Sequence, residues 1–152
     1  MPTVGVFASI FDSAGRILLA RHSYGSGQWS TPGGRVEPGE SPTAALEREI
    51  REEIACEIQV GHLIGIYAKP YRDDLVLSFA VIIASGSPQP LPPEISEIAF
   101  FSRDLLPDNI AFNSRVRIED AFDRCRGIVR VFDSATSLVA SFDSDVCSHA
   151  TA

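Results

Sequence analysis

Three glutamates, Glu49, Glu52 and Glu53, stand three and four residues apart in the stretch Arg48-Glu49-Ile50-Arg51-Glu52-Glu53. On a helix turning by about 100° per residue, that spacing gathers all three carboxylates within an arc of roughly 100°. Like charges so placed repel by a few tenths of a kcal/mol per pair in water, and by more when partly buried. A cation is the ordinary remedy. Oxygen-only ligands select hard divalent ions, Mg²⁺ with Mn²⁺ as its substitute, shared with substrate phosphates. Taken alone, Glu-x-x-Glu-Glu is more often a solvated acidic face, eased here by Arg48 and Arg51.

The segment upstream changes that weighting. Gly33-Gly34-Arg35-Val36-Glu37-Pro38-Gly39-Glu40 feeds directly into the acidic stretch. Two adjacent residues without side chains let the backbone approach a ligand closely and offer amides to phosphate oxygens. Arg35 beside the glycines and Arg21 further upstream are candidate phosphate-binding cations.

The elements that must position these groups follow from local signals. Ser41-Pro42 is a serine cap with proline at the first helical position, which predicts a helix over residues 42–54 with Leu46, Ile50 and Ile54 as its buried stripe. Residues 3–11 and 16–20, flanking the turn Asp12-Ser13-Ala14-Gly15, predict a hairpin. Residues 58–68 and 75–84 read as strands around a polar connection, and residues 85–93 as a proline-rich loop before a short strand at residues 98–101. Asn113 is the expected cap of a second helix reaching about Cys125, with residues 128–132 as a last strand. Residues 133–152 are rich in Ser, Ala and Asp and are expected to fray, unless Leu138, Val139 and Phe142 pack. Strands around two helices without regular βαβ alternation give a mixed sheet, α/β or α+β.

Length and charge bound the function. A chain of 152 residues fits a single domain, residues 1–152. Its formal net charge of −7 and pI near 4.9 leave no broad basic face for duplex nucleic acid or an anionic membrane, so phosphate must be met by a metal or a few arginines. The most apolar stretch, residues 75–84, is about half the roughly twenty residues a spanning helix needs. The opening residues carry no basic region of a secretory signal, so a cytoplasmic location is expected. Cys56, Cys125 and Cys147 are odd in number and read as unpaired structural thiols. His22, His62 and His149 lack ligand spacing, and Trp29 reads as core rather than as a stacking platform.

Read as one string, Gly34, five residues, Glu40, seven residues, Arg48-Glu49-Ile50, one residue, Glu52-Glu53 resembles the Nudix box, the signature of Nudix hydrolases. The preceding Trp29-Ser30-Thr31-Pro32-Gly33-Gly34 is similar to the family's usual lead-in. One position departs: the box normally carries glycine where this chain has Ala55, followed here by Cys56. If that position needs a positive φ, alanine costs on the order of 1 kcal/mol there.

The resemblance implies an α/β/α sandwich with a mixed sheet, and Mg²⁺-dependent hydrolysis of a nucleoside diphosphate linked to another group. Carried over position by position, Glu49, Glu52 and Glu53 would be metal ligands, with Gly34 lending its carbonyl. One of the glutamates, Glu52 or Glu53, would activate water. Arg48 would orient a box glutamate, Glu40 would support the loop, and Gly33, Gly34, Arg35 and Arg21 would line the substrate. A later acid, Glu97 or Glu94, would join the metals or act as base. Nucleoside triphosphates stand slightly ahead of ADP-ribose and nucleotide sugars, because no extra N-terminal domain precedes the first strand, while Pro70 and Tyr71 give opposing hints. The partner is a small nucleotide, and monomer or homodimer stays open. The competing reading is a catalytically silent Nudix domain acting as a nucleotide sensor or protein-binding module.

Overall fold

In a computed structural model, residues 1–142 and Cys147 are described. Strand β1 (Thr3–Ile10) runs into a turn whose Asp12 carboxylate accepts the N–H groups of Ala14 and Arg16 at 3.0 and 2.9 Å, and β2 (Ile17–His22) follows. Next come β3 (Trp29–Ser30), β4 (Gly33–Arg35) and α1 (Pro42–Ile54). Then β5 (Glu57–Lys69) and β6 (Asp74–Ser85) form a long antiparallel hairpin over a single helical turn at Pro70–Arg72. The chain continues through β7 (Ile95–Phe101), α2 (Phe112–Phe122), β8 (Ile128–Ser134) and β9 (Ser137–Phe142).

The six-stranded sheet has the order β4-β1-β6-β5-β8-β9, with β1 parallel to β6 and β5 parallel to β8; a second sheet has the order β3-β2-β7. The mixed sheet is as expected. The opening hairpin is not. Its turn forms and Phe11 bridges Ile17, but β1 and β2 then diverge into different sheets, β1 pairing with β4 and β6 and β2 with β3 and β7. The reason lies in β2, where Ile17, Leu18 and Leu19 are all buried and successive side chains point to opposite faces. Leu18 joins the core under α1, while Ile17 and Leu19 join the core under α2. A two-sided strand is held between two helices, not on the edge of a hairpin.

Helix α1 begins where Ser41 Oγ accepts the Ala44 N–H at 3.1 Å. Its buried stripe Ala45, Leu46, Ile50 and Ile54 packs on Val6, Ala8 and Ile10 of β1 and Val81 of β6. Each large residue of that stripe contributes about 2 kcal/mol as an upper estimate. The helix ends at Ala55, at φ 60° and ψ 35°, whose N–H donates to the Arg51 carbonyl. The positive φ is therefore real, and alanine occupies it. Helix α2 packs Ile118 and Ala121 on Ile64 and Ile128 from the opposite side. Its N-cap is Ala111 rather than Asn113, so the expected cap is corrected: no side chain bonds that end, and Asn113 sits inside the first turn.

Past α2, Cys125 is joined to Cys147 in a disulfide spanning 22 residues, while Cys56 is free and buried. That corrects the reading of three unpaired thiols, because an odd count says nothing of which two the fold brings together. Residues 133–142 continue β8 and form β9; the remainder of the tail, apart from Cys147, lies outside the described residues, as does His149. Among the described residues no helix is long and apolar enough to cross a membrane.

Candidate active site

The glycine loop is threaded between β1 and α1, and its composition is dictated by contact. Gly33 pairs with Phe7 and Gly34 with Val6 across β4 and β1. A Cβ at Gly33, where φ is 155°, would strike the Val6 carbonyl, and one at Gly34 would strike the carboxyl of Glu49. The Gly34 backbone and the Glu49 carboxylate are thus in direct contact.

Arg48 organises the acids around that contact. Its Nε and Nη2 hold Glu40 bidentately at 2.8 Å each, Nη1 donates to Glu49 at 2.9 Å and to Glu52 at 3.3 Å, and Nη2 also reaches the Arg35 carbonyl at 3.0 Å. Glu40 in turn accepts the Glu37 N–H at 2.9 Å, which closes the loop on itself. The Arg48 guanidinium holds the Glu40 carboxyl down at about 2, and Glu40 and Glu49 together raise Arg48.

Glu53 stands apart from this arrangement. It is 2% exposed, and its Oε1 accepts the Gly33 N–H at 2.7 Å. Burial pushes its carboxyl up to about 8 against the pull of that N–H, with the charges of Glu49, Glu94 and Glu52 adding to the rise. Glu49 is raised too, by burial first and against Arg48. No ion pair to a cation is formed by Glu53 among the described residues. Nor does any group of three carboxylate, imidazole or thiolate side chains there converge so as to hold a metal ion, since Glu49 and Glu52 lean on Arg48 and Glu53 on Gly33. The donor set fits a divalent cation by its chemistry: an uncompensated buried carboxyl, a second against the Gly34 backbone, and a third on the same helix edge.

Two expected contributors lie elsewhere. Arg21 Nη1 and Glu97 Oε1 pair at 2.9 Å across β2 and β7, and Arg21 Nε donates to the Gly27 carbonyl at 2.9 Å. Each has its partner in the other, and neither lines the cleft. Of the two later acids it is Glu94 that acts on Glu49 and Glu53 through its charge. Both acids fall in one short stretch of sequence, and the pairing of Glu97 with Arg21 across β2 and β7 is what separates them.

The glycine loop opens into a cleft of about 590 Å³. Gly33, Gly34 and Arg35 form one side, and Ser114 and Arg117 of α2 form another. Among the described residues, four cationic side chains, Arg35, Lys69, Arg72 and Arg117, line it with a single carboxylate, Asp74, in a protein of net charge −7. Trp29, mostly core and edge-on to Phe101 at 5.2 Å, shows one side to the cleft. Tyr24 lies at the acidic end, its hydroxyl raised by burial and then by Glu53, Glu94 and Glu49. His22 also lines the cleft, and burial lowers it; burial lowers His62 likewise, away from the acids. Sequence reasoning missed Arg117. Its signal was the helical stripe Ser114, Arg117, Ile118 and Ala121, in which an arginine takes a core position.

A family model, the NUDIX domain, matches residues 1–121. A protein of Bacillus subtilis (strain 168), named as a candidate 8-oxo-dGTP diphosphatase, is 31% identical over 94% of this chain and 95% of its own length. The NAD-capped RNA hydrolase NudC of Stutzerimonas stutzeri (strain A1501) is 38% identical over 60% of this chain, which spans 33% of that longer protein. The crystal structure of a MutT NUDIX hydrolase from Burkholderia pseudomallei superposes with a TM-score of 0.67 at 27% identity, over 79% of this chain and 98% of that one. With the glycine loop, the Arg48-centred acids and four-fifths of the chain matched together, the chain belongs to the NUDIX family.

Proposed function

We propose that the protein hydrolyses the phosphoric anhydride of a nucleoside diphosphate linked to another group, with Mg²⁺ held by Glu49, Glu52, Glu53 and the Gly34 carbonyl. The observation that carries this reading is Glu53, a buried carboxyl in a nest of acids that has a backbone N–H and, among the described residues, no cation for a partner. The bound cation supplies neutralisation of charge developing on the phosphoryl oxygens. The rest is done by the chain. Arg48 fixes Glu49 and Glu52 on the helix edge, and Glu40 fixes Arg48. Gly33 orients Glu53 by one N–H and leaves its second oxygen to receive a proton from attacking water. Glu94 replaces Glu97 as the further acid from a later loop.

Nucleoside triphosphates head the substrate order, in keeping with the activity named for the Bacillus relative, followed by ADP-ribose and nucleotide sugars. The test is release of phosphate or pyrophosphate from a panel of these compounds and dinucleoside polyphosphates, with Mg²⁺, with Mn²⁺ and after exhaustive chelation. Turnover with either metal and none after chelation is expected. Turnover that survives chelation removes the metal from the reading, and none under any condition leaves the silent, sensing domain in its place.

A further inference from the structure

The α2 side of the cleft holds a cation that nothing in the site above uses. Arg117 is 3% exposed yet lines the cleft, and it forms no ion pair among the described residues. Its guanidinium lies over the Phe7 ring at 4.4 Å, and Nη2 donates to Ser30 Oγ at 3.2 Å and to Ser114 Oγ at 3.4 Å. Its Nε is buried with no partner there. A buried guanidinium with two neutral acceptors and an orphaned N–H is under-satisfied, because only a counter-charge offsets the desolvation of a full charge.

Three further observations meet at the same place. Helix α2 begins within the cleft lining, at Ala111, Asn113 and Ser114, with no side-chain cap and no acid in its first turn, so its positive end is unopposed. Both serine hydroxyls accept from Arg117 and keep their own protons to donate. Asp74, the one carboxylate of the cleft among the described residues, acts on Arg117 through its charge but pairs with Lys69 at 3.3 Å and with the Thr3 hydroxyl instead. A cation buried against a helix N-terminus, flanked by two hydroxyl donors and paired with no acid among the described residues, is complementary to an anion.

We infer that this end of the cleft is a second oxyanion site, in which Arg117, Ser114, Ser30 and the α2 N-terminus hold a phosphomonoester or terminal carboxylate that the substrate carries away from its cleaved diphosphate. The inference rests on the proposed hydrolysis for what the substrate is, and it moves preference from plain nucleoside triphosphates to nucleotides bearing a second anionic group. A neutral acceptor edge of a nucleobase would leave the buried charge uncompensated.

The test is binding, measured by calorimetry on the full chain stripped of metal over a chelating resin, so that no hydrolysis and no anionic chelator intervenes. Two matched pairs distinguish the sources: ADP against adenosine 3′-phosphate 5′-diphosphate for a phosphate, and UDP-glucose against UDP-glucuronate for a carboxylate. In at least one pair the member with the extra anion is expected to bind at least tenfold more tightly. Arg117→Gln should reduce that preference to below twofold while changing the other member's Kd by less than threefold. Arg117→Lys, which keeps the charge, and Ser114→Ala, which keeps the cation, should each retain part of the preference, and they carry the test if Arg117→Gln does not fold. Absence of preference in both pairs overturns the site, as does a preference that survives Arg117→Gln. Equal weakening of both members of a pair overturns it too, since Arg117 would then read an uncharged part common to both. Because no turnover is measured, failure of the proposed hydrolysis leaves these outcomes readable, and their failure leaves the hydrolysis standing.

Discussion

Two arginine-centred networks in this molecule use the same chemistry and end in opposite states. Between α2, β5 and β8, Arg130 grips Asp120 bidentately at 2.6 and 2.7 Å, and the Tyr67 hydroxyl donates to the same carboxylate at 2.9 Å. One buried acid meets one guanidinium and one phenol. On the edge of α1, Arg48 faces Glu40, Glu49 and Glu52 at once, and the buried Glu53 is left to a backbone N–H. The first network satisfies itself and fastens helix to sheet. The second is short of positive charge where the glycine loop comes closest. A buried acid held protonated on one side of the cleft, and a buried cation with no ion pair among the described residues on the other, both cost stability, and their persistence points to ligands that complete them.

The largest effect should fall on the incomplete network. Glu53→Gln keeps the side-chain shape and the Gly33 contact but removes the charge, and turnover with Mg²⁺ should fall about a thousandfold or more. Glu47→Gln, on the same helix but paired with Arg51 at 4.0 Å, should turn over normally. Initial rates of both variants on the best compound of the panel decide the matter, and equal rates would remove Glu53 from the site.

The complete network should show the reverse pattern. Asp120→Ala leaves Arg130 and the Tyr67 hydroxyl without their shared acceptor in a buried place, and such a loss costs about 3 kcal/mol. Denaturant unfolding should register that loss, and rates well below the melting range should match the parent chain. Lost activity in a folded Asp120→Ala protein would break the contrast, because the network would then reach the cleft.

A smaller effect separates the two by pH. In metal-free protein, Glu53 keeps its proton up to about pH 8 when folded and releases it near its ordinary value of 4.5 when unfolded. Between those values the folded chain binds more protons, so stability falls as pH rises. Glu53→Gln has no such titration. Its unfolding free energy should exceed the parent's by a margin that widens from pH 5 to pH 8 and reaches on the order of 1–2 kcal/mol, read from denaturant unfolding at each pH. A margin independent of pH would mean that burial does not hold the proton.

What the sequence disclosed and what it hid divide along the range of the interactions. Helix α1 was readable to the residue, because Ser41, Pro42 and the stripe Leu46, Ile50 and Ile54 are signals within a few turns of one another. The box acids followed, since α1 itself sets their spacing. The β1–β2 hairpin failed although its turn was right, because β1 takes its partner from β6, with Thr3 opposite Asp74, and no local pattern names a partner that far along the chain. The Arg21–Glu97 pair and the Cys125–Cys147 link were hidden for the same reason. Arg117 stood in plain view on a helical stripe, but its meaning depends on Phe7 and Ser30, which only the assembled fold brings beside it.

Ala55 gives the smallest effect and tests the junction where the box meets its sheet. At φ 60° an L-residue with a Cβ is strained by roughly 1–2 kcal/mol, and glycine is not. Glycine also adds freedom to the unfolded chain, which offsets about 0.4–1 kcal/mol of that relief. The difference favours Ala55→Gly by about 0.5–1 kcal/mol, or a rise of about 1–4 °C in melting midpoint for a domain of this size. The Ala55 N–H bond to the Arg51 carbonyl is made by the backbone and persists, so Glu52 and Glu53 one turn earlier keep their places and turnover should be unchanged. Thermal unfolding and initial rates on the same preparation check both halves. A lower midpoint would show that the alanine methyl packs usefully against its surroundings, and a large change in rate would show that this helix end moves during the reaction.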